Sequence, residues 1–130
     1  MTEYLIRLPW PPSALSPNAR GHWAQKARIA KNYRGDCRLM CQAQGARALP
    51  VESLSVEVTF HAPDNRRRDL DNMLAAIKSG LDGVVDATGV DDSRWDLTIK
   101  RGDPTKGGCI LIHLKPTPDT ATVPLRGSVS

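Results

Sequence analysis

Cysteines and aromatic residues are scarce in this chain of 130 residues. It contains three tryptophans, two tyrosines and one phenylalanine, so stacking of aromatic side chains on nucleic-acid bases is not expected to be its main mode of contact. Its three cysteines are Cys37, Cys41 and Cys109. This odd and sparse set favours free thiols in the core over a metal pair or a disulfide, which indicates a reducing compartment.

Long apolar runs and targeting signals are absent as well. No stretch approaches the ~20 apolar residues that a membrane-spanning helix needs. The first residues, "MTEYLIRLPWPPS", lack the basic segment followed by an apolar segment that marks a signal peptide. We therefore expect a cytoplasmic protein without a membrane partner.

The size and charge of the chain set wider limits. Its length predicts one domain, which we place at 1–115, and the proline-containing end at 116–130 predicts a loosely ordered tail. Lysines and arginines outnumber aspartates and glutamates by 18 to 14, which gives a formal net charge of +4. Such a balance permits a nucleic-acid partner but does not require one.

The pattern of apolar residues predicts six elements in the order β-α-β-α-β-β. Alternating runs indicate strands, and apolar residues three or four positions apart indicate helices. The strands are "YLIRL", "SLSVEVTFH", "WDLTIK" and "CILIHLK", and the helices span 22–45 and 70–86. Proline and glycine in "RGDPTKGG" predict a hairpin-like loop between the last two strands. The expected fold class is α+β, with two main helices on a mixed four-stranded sheet.

The first predicted helix has a strongly basic side. Its positive residues are Lys26, Arg28, Lys31, Arg34 and Arg38. Only Asp36 opposes them within the helix. The basic side is either an ordinary solvated surface or a surface that contacts phosphates, and for the second case we single out Lys26 and Lys31.

The segment "RRRDLDN", residues 66–72, carries the most specific chemistry in the chain. An aspartate at a helix start is favoured because its carboxylate accepts a free backbone N–H and faces the positive end of the helix dipole. That explanation accounts for one of Asp69 and Asp71 but not readily for both. Two carboxylates held close together repel each other, and a divalent cation relieves that repulsion. Oxygen ligands of this kind suit Mg²⁺ or Mn²⁺.

Three arginines precede these aspartates. A carboxylate–metal site flanked by Arg66, Arg67 and Arg68 fits a phosphodiester substrate, because a metal polarises the scissile phosphate and arginines neutralise neighbouring ones. Two further aspartates, Asp91 and Asp92, follow the second helix in "VDDS". They are either turn residues or partners of the first pair, if the next strand returns toward the start of that helix.

Five segments in order resemble the RusA-type Holliday junction resolvases. They are "LPWPPS", "RRRDLDN", "GLDGV", "VDDS" and "TKGG", and the resemblance spans residues 3–115. It implies a homodimeric, Mg²⁺-dependent endodeoxyribonuclease of mixed α/β fold, often prophage-encoded, that cuts two opposing strands of a four-way DNA junction. It also implies that three aspartates form each metal site. By motif match these are Asp69, Asp71 and Asp92, with Asp91 the less favoured choice.

One position departs from the family pattern. The best-known members carry a functional lysine four residues after the second motif aspartate, where this chain has Ala75. Lys78 lies three residues further along the same helix, so we assign it that electrostatic role, against the alternative of a solvated helix residue. In "TKGG", Lys106 is either a turn residue or a phosphate contact, since Gly107 and Gly108 would let the backbone approach DNA.

The expected activity is Mg²⁺-assisted hydrolysis of phosphodiesters by an activated water, which leaves paired, symmetric nicks in a four-way junction. Three alternatives stay open. The first is a non-catalytic DNA-binding module, and the second is a metal-dependent nuclease for forks or flaps. The third is a phage assembly protein that has lost the activity.

Overall fold

The computed structural model describes residues 3–49 and 51–116. Its six main elements are β1 (Tyr4–Pro9), α1 (Trp23–Ala43), β2 (Leu54–His61), α2 (Leu70–Thr88), β3 (Trp95–Arg101) and β4 (Cys109–Pro116). Short 3-10 turns occupy Ser13–Leu15 and Asp92–Arg94. The predicted α+β class and element order are confirmed. Helix α2 runs two residues beyond its predicted end, because the residue that ends it is Gly89, in the left-handed region at φ 75°.

The four strands form one mixed sheet in the order β1-β4-β2-β3. Strand β3 pairs parallel with β2, and β4 pairs antiparallel with both β1 and β2. The predicted hairpin between the last two strands is therefore wrong, because β3 and β4 are not neighbours. Helix α2 carries the chain back along β2, so β3 starts at the same end as β2 and runs in the same direction.

Burial explains which strand takes the central position. Strand β4 is buried along most of its length, whereas β3 is largely exposed. The apolar run "CILIHL" suits a position covered by neighbours, and "WDLTIKR", which has three charged residues, suits an edge. The difference in composition is visible in the sequence, but the turn residues between the two strands are equally compatible with a hairpin.

The loop 102–108 crosses the end of β2 instead of turning back on β3. The Gly102 N–H donates to Phe60 O and the Thr105 N–H donates to Ala62 O, both at 2.9 Å. These bonds hold the loop against the exit of β2. The chain then enters the slot between β1 and β2 as β4.

The core lies between one face of the sheet and the two helices. Alternate residues of β2 are buried on that face: Leu54, Val56, Val58 and Phe60. The helices approach each other closely, since a Cβ added to Gly83 would lie 2.4 Å from Arg34 O. The three cysteines are buried and free, as the sequence predicts.

Two further predictions concern the C-terminal tail and membrane-spanning helices. The predicted tail at 116–130 lies outside the described residues except for Pro116, which ends β4. In the part of the chain that the structure describes, no helix is both long and apolar enough to cross a membrane.

Candidate active site

Asp69 and Asp71 lie where the loop after β2 enters α2. Asp69 occupies the N-cap position with extended backbone (φ −78°, ψ 140°), yet its side chain accepts no hydrogen bond from the first turn. Asp71 lies in that first turn, and both residues are exposed. Among the described residues, neither carboxylate takes part in a hydrogen bond or an ion pair. Helix capping therefore does not account for this pair.

The chemistry of the pair fits a divalent cation. Two carboxylates at one helix terminus offer hard oxygen ligands, and a cation between them removes part of their mutual repulsion. Their exposure leaves space for the water ligands that Mg²⁺ usually keeps. Asp69 and Asp71 are thus residues that could hold the metal expected from the sequence.

The three arginines of the same segment differ in their surroundings. Arg68 is largely buried, with Nη1 donating to Asp64 Oδ1 at 2.9 Å and the guanidinium 5.7 Å from the centroid of the Trp10 ring. Arg66 pairs with the same carboxylate at 3.4 Å. Hydrogen bonds from Arg68 and then from Arg66 lower the pKa of Asp64 to about 2. Arg67 is exposed and has no hydrogen-bond or ion-pair partner among the described residues, so its charge is available for a phosphate.

A cleft of about 420 Å³ opens beside Asp69. The proline-rich segment after β1 contributes Trp10, and the loop that follows contributes Asn18. The start of α2 and the segment before it contribute Arg67, Asp69 and Asn72. A group bound in this cleft would meet apolar, amide and charged side chains next to the carboxylate.

The two aspartates after α2 are used differently. The Asp91 side chain accepts a hydrogen bond from the Ser93 N–H at 3.0 Å and so caps the 3-10 turn that follows it. Hydrogen bonds from Ser93 hold the pKa of Asp91 below its ordinary value. Asp92 instead pairs with Lys78 at 3.0 Å. The local capping role thus falls to Asp91, which leaves Asp92 for the function predicted from the family motif.

Lys78 projects from the middle of α2 toward the second acidic cluster. Its Nζ lies 3.0 Å from Asp92 Oδ2 and 3.2 Å from Asp82 Oδ1. The hydrogen bond to Asp92, followed by the bond to Asp82, raises the pKa of Lys78 above its ordinary value. Lys78 is therefore not a solitary solvated lysine, and its predicted electrostatic role would act through Asp92.

The two acidic clusters are separated along α2. Asp69 is the N-cap, whereas Asp92 follows the helix in the chain and contacts Lys78 in its middle. Lys78 lies nine residues after Asp69, which corresponds to about 14 Å along the helix axis. Within residues 3–49 and 51–116, no three His, Cys, Asp or Glu side chains form a group that could hold a metal. One chain thus does not bring the predicted three-aspartate set together, and that assignment stays a prediction.

The remaining predicted DNA contacts lie on two elements. Lys26 Nζ donates to Ala19 O and ties α1 to the preceding loop. Lys31 is exposed on α1, and Lys106 is exposed in the loop 102–108. Because that loop is bonded to the exit of β2, the structure places Lys106 at the same end of the sheet as the first acidic pair.

Arg101, at the end of β3, is a site residue that sequence reasoning missed. Its Nη1 donates to Arg68 O at 2.5 Å and so holds the segment that leads into Asp69. Arg101 lies opposite Phe60 in the parallel register of β2 and β3. Only that parallel pairing brings Arg101 to the exit of β2. The predicted hairpin paired β3 with β4 instead, so it gave no reason to place Arg101 near Arg68.

Known proteins of similar sequence include several nucleases, although no family model matches the chain. The crossover junction endodeoxyribonuclease rusA of Enterobacteria phage HK97 is 31% identical over 117 residues, which cover 88% of this chain and 95% of that protein. The Escherichia coli protein of that name is 33% identical over 122 residues, which cover 83% and 90%. An uncharacterized protein of Xylella fastidiosa is 42% identical over 93 residues. The matched region spans only 61% of that relative's length.

Proposed function

Because the chain belongs to the RusA family of crossover junction endodeoxyribonucleases, we propose that it resolves four-way DNA junctions by nicking two opposing strands. The observation that supports this most directly is the exposed pair Asp69 and Asp71, which lies at a helix start but is not used for capping. Beside it, Arg67 offers a positive charge that pairs with no side chain in residues 3–49 and 51–116. Carboxylate oxygens that can hold a metal ion, beside a positive side chain that can hold a phosphate, suit the metal-assisted hydrolysis of a phosphodiester.

The cofactor we assign is Mg²⁺, for which Mn²⁺ should substitute. Asp69 and Asp71 of one chain would hold it. When bound, the ion supplies Lewis-acid activation of the scissile phosphate and of water. Since Asp92 contacts the middle of α2 and not its start, we assign it to the site of a second copy in a homodimer, and Lys78 would orient its carboxylate before assembly.

The other residues of the site would bind and position DNA. Arg67 would contact a phosphate beside the scissile bond. Arg68, held by Asp64 and Trp10, would keep the segment 64–69 in place. Lys106 lies at the same end of the sheet and would contact a neighbouring phosphate. Such contacts read the backbone and the shape of a junction rather than base identity.

A homodimer suits this substrate because an open four-way junction has two-fold symmetry. A two-fold dimer places two equivalent sites on two equivalent strands. Paired, symmetric nicks are the expected product. A monomeric enzyme with one site would release singly nicked junctions.

A nicking assay tests the proposal. Wild type, Asp71→Asn and the control Asp36→Asn, an exposed aspartate of α1, are incubated with an immobile four-way junction or a matched linear duplex, with Mg²⁺ or with EDTA. We expect paired nicks in the junction only, dependent on Mg²⁺, abolished by Asp71→Asn and unchanged in the control. Junction binding should survive Asp71→Asn, since the substitution removes a negative charge. Tight binding without nicks in any divalent metal would indicate a DNA-binding module instead.

A further inference from the structure

Strand β3 leaves one edge of the sheet open. It pairs with β2 on one side only, and on its other side no strand lies within residues 3–49 and 51–116. Leu97, in the middle of β3, is 41% exposed although it lies on the face of the sheet that the helices cover elsewhere. An open edge with an exposed large apolar residue is a surface that proteins normally cover.

The direction of the backbone groups along β3 follows from one hydrogen bond. The Gly102 N–H donates to Phe60 O of β2. Because a strand has a period of two, the amide groups of Lys100, Thr98 and Asp96 also point toward β2. The amide groups of the odd-numbered residues, among them Leu97 and Ile99, therefore point outward and can bond to another strand.

The sequence of this edge is complementary to itself. If two copies of β3 pair antiparallel about a two-fold axis at Thr98, Leu97 of one copy lies opposite Ile99 of the other, and their outward amide groups form bonded pairs. On the opposite face of the sheet, Asp96 of each copy lies opposite Lys100 of the other. These are two apolar pairs and two ion pairs across one axis, each of a kind that stabilises antiparallel strands.

Neighbouring registers lack this complementarity. The outward backbone groups of one copy must face the outward backbone groups of the other, so odd-numbered residues must pair with odd-numbered residues. The two-fold axis can therefore pass through any single residue of β3, and neighbouring registers differ by one residue in the position of the axis. An axis at Leu97 sets Arg94 against Lys100, two positive charges, and leaves Asp96 opposite Thr98. An axis at Ile99 sets Lys100 against Thr98 and leaves Asp96 without a basic partner. Only the register centred on Thr98 gives each charged residue of "DLTIK" an opposite charge.

We propose that β3 is the surface through which two copies of this chain associate, with their sheets joined about Thr98 into one continuous sheet. The proposal rests on the homodimer proposed above and names its interface. In this arrangement the start of one β3 lies beside the end of the other. That end carries Arg101, which contacts the segment leading into Asp69. The partner's Asp92 is thereby carried toward Asp69 and Asp71.

Disulfide trapping tests the surface and its register together. Thr98 would meet its own copy in a non-hydrogen-bonded pair, with Cα atoms about 4.5 Å apart, which is within the range for a disulfide. The full-length Thr98→Cys variant should therefore form a covalent dimer under mild oxidation, without DNA or metal. The native thiols are buried and should not interfere. Leu5→Cys, exposed on the opposite edge strand β1, is the matched control and should stay monomeric on a non-reducing gel.

Charge exchange provides an independent measurement. Asp96→Lys replaces both ion pairs by like charges and should weaken the dimer by about tenfold, as measured by light scattering across a dilution series. Lys100→Asp should do the same. The double variant should recover most of the loss, although it also removes the Lys100–Glu57 ion pair of 3.2 Å. Asp36→Lys on α1 makes the same change in charge away from this edge and should leave the dimer unchanged.

The outcomes separate this interface from the proposed activity. A covalent Thr98→Cys dimer together with recovery in the double charge variant supports the interface even if no junction is cut. A dimer that Thr98→Cys does not trap, or that Asp96→Lys leaves unchanged, overturns the interface even if wild type cuts junctions. A monomer whose β3 amides resist hydrogen exchange would show that another segment, such as 117–130, covers the edge, and would also overturn it.

Discussion

At the scale of single residues, identical side chains in this protein have different roles because their partners differ. Asp91 caps a turn, whereas Asp69, at the N-cap of a longer helix, makes no capping bond. Arg68 is held by Asp64, whereas Arg67, its neighbour, is exposed. Among repeated residues of one motif, some side chains are thus bonded within the protein and others are left for a ligand. The sequence shows the motif, and the contacts in the structure show which of its residues belong to each group.

Lys78 offers a prediction at this scale. Lys78→Ala should lower the rate constant of junction cleavage by about tenfold, as substitutions behind a ligand commonly do, with little change in junction affinity. The free energy of unfolding should change by less than about 1 kcal/mol, because both partners of the ion pair are substantially exposed. Single-turnover cleavage and urea denaturation measure the two effects.

Two further variants distinguish a role of Lys78 through Asp92 from the general effect of losing a positive charge. Lys78→Arg keeps a cation near Asp92 and should recover most of the rate, whereas Lys31→Ala, on α1, should leave the rate constant unchanged and affect only affinity. Equal loss of rate in both alanine variants would contradict a role through Asp92.

At the scale of elements, the contact between α1 and α2 depends on glycine. A Cβ on Gly83 would lie 2.4 Å from Arg34 O and 2.9 Å from Arg38 N, both backbone atoms that cannot move aside without shifting α1. Gly83→Ala should therefore destabilise the fold by about 2 kcal/mol. Gly35→Ala is the matched control, since no atom lies within 4 Å of its added Cβ, and it should stabilise by about 0.5–1 kcal/mol. Urea denaturation of both variants checks the difference in sign.

The same helix contact predicts a loss of stability at alkaline pH. Burial raises the pKa of Cys37 to about 12 and of Cys41 to about 11, from an ordinary value of 9.0. Above pH 9 the thiols of the unfolded chain lose their protons while those of the folded chain keep them. The contribution of the two thiols to the free energy of unfolding is therefore fully present below pH 9 and is lost as the pH rises toward 11 and 12. The free energy of unfolding should be about 3 kcal/mol lower at pH 10 than at pH 8.

A double variant isolates the contribution of the thiols. Cys37→Ala with Cys41→Ala should show a shallower decline between pH 8 and pH 10, whatever its stability at pH 8. If the free energy of unfolding falls equally steeply with pH in wild type and variant, titrating groups other than these thiols cause the decline.

At the scale of the whole molecule, the distance between Asp92 and the pair at the start of α2 predicts a site shared between two copies. Asp71→Asn and Asp92→Asn should each be inactive as homodimers. After the two are mixed and allowed to exchange subunits, one site of each heterodimer should combine an intact Asp71 with an intact Asp92. Cleavage should then reappear as single nicks, at about a quarter of the number of sites expected for wild type, because about half of the dimers are mixed and each mixed dimer has one intact site of two. A mixture that stays inactive would place all three aspartates in one chain.

Much of the fold could be predicted from the sequence. Alternation in "SLSVEVTFH" and the spacing of Leu70, Leu74, Ile77 and Leu81 indicated the correct element types, because both patterns arise within one element. The position of Asp69 and Asp71 at a helix start followed for the same reason. Arg101 could not be placed, because its contact with Arg68 depends on which strand β3 pairs with.

Side-chain periodicity and short motifs are local properties of the chain, so the elements, their order and the family motif could be predicted before the fold was known. The central position of β4, the edge position of β3 and the separation of Asp69 from Asp92 along α2 are properties of the folded chain alone. Strand order and distances across a helix depend on contacts between residues far apart in the chain. The turn residues of the loop 102–108 are compatible with more than one such arrangement, and burial of the more apolar strand selects among them.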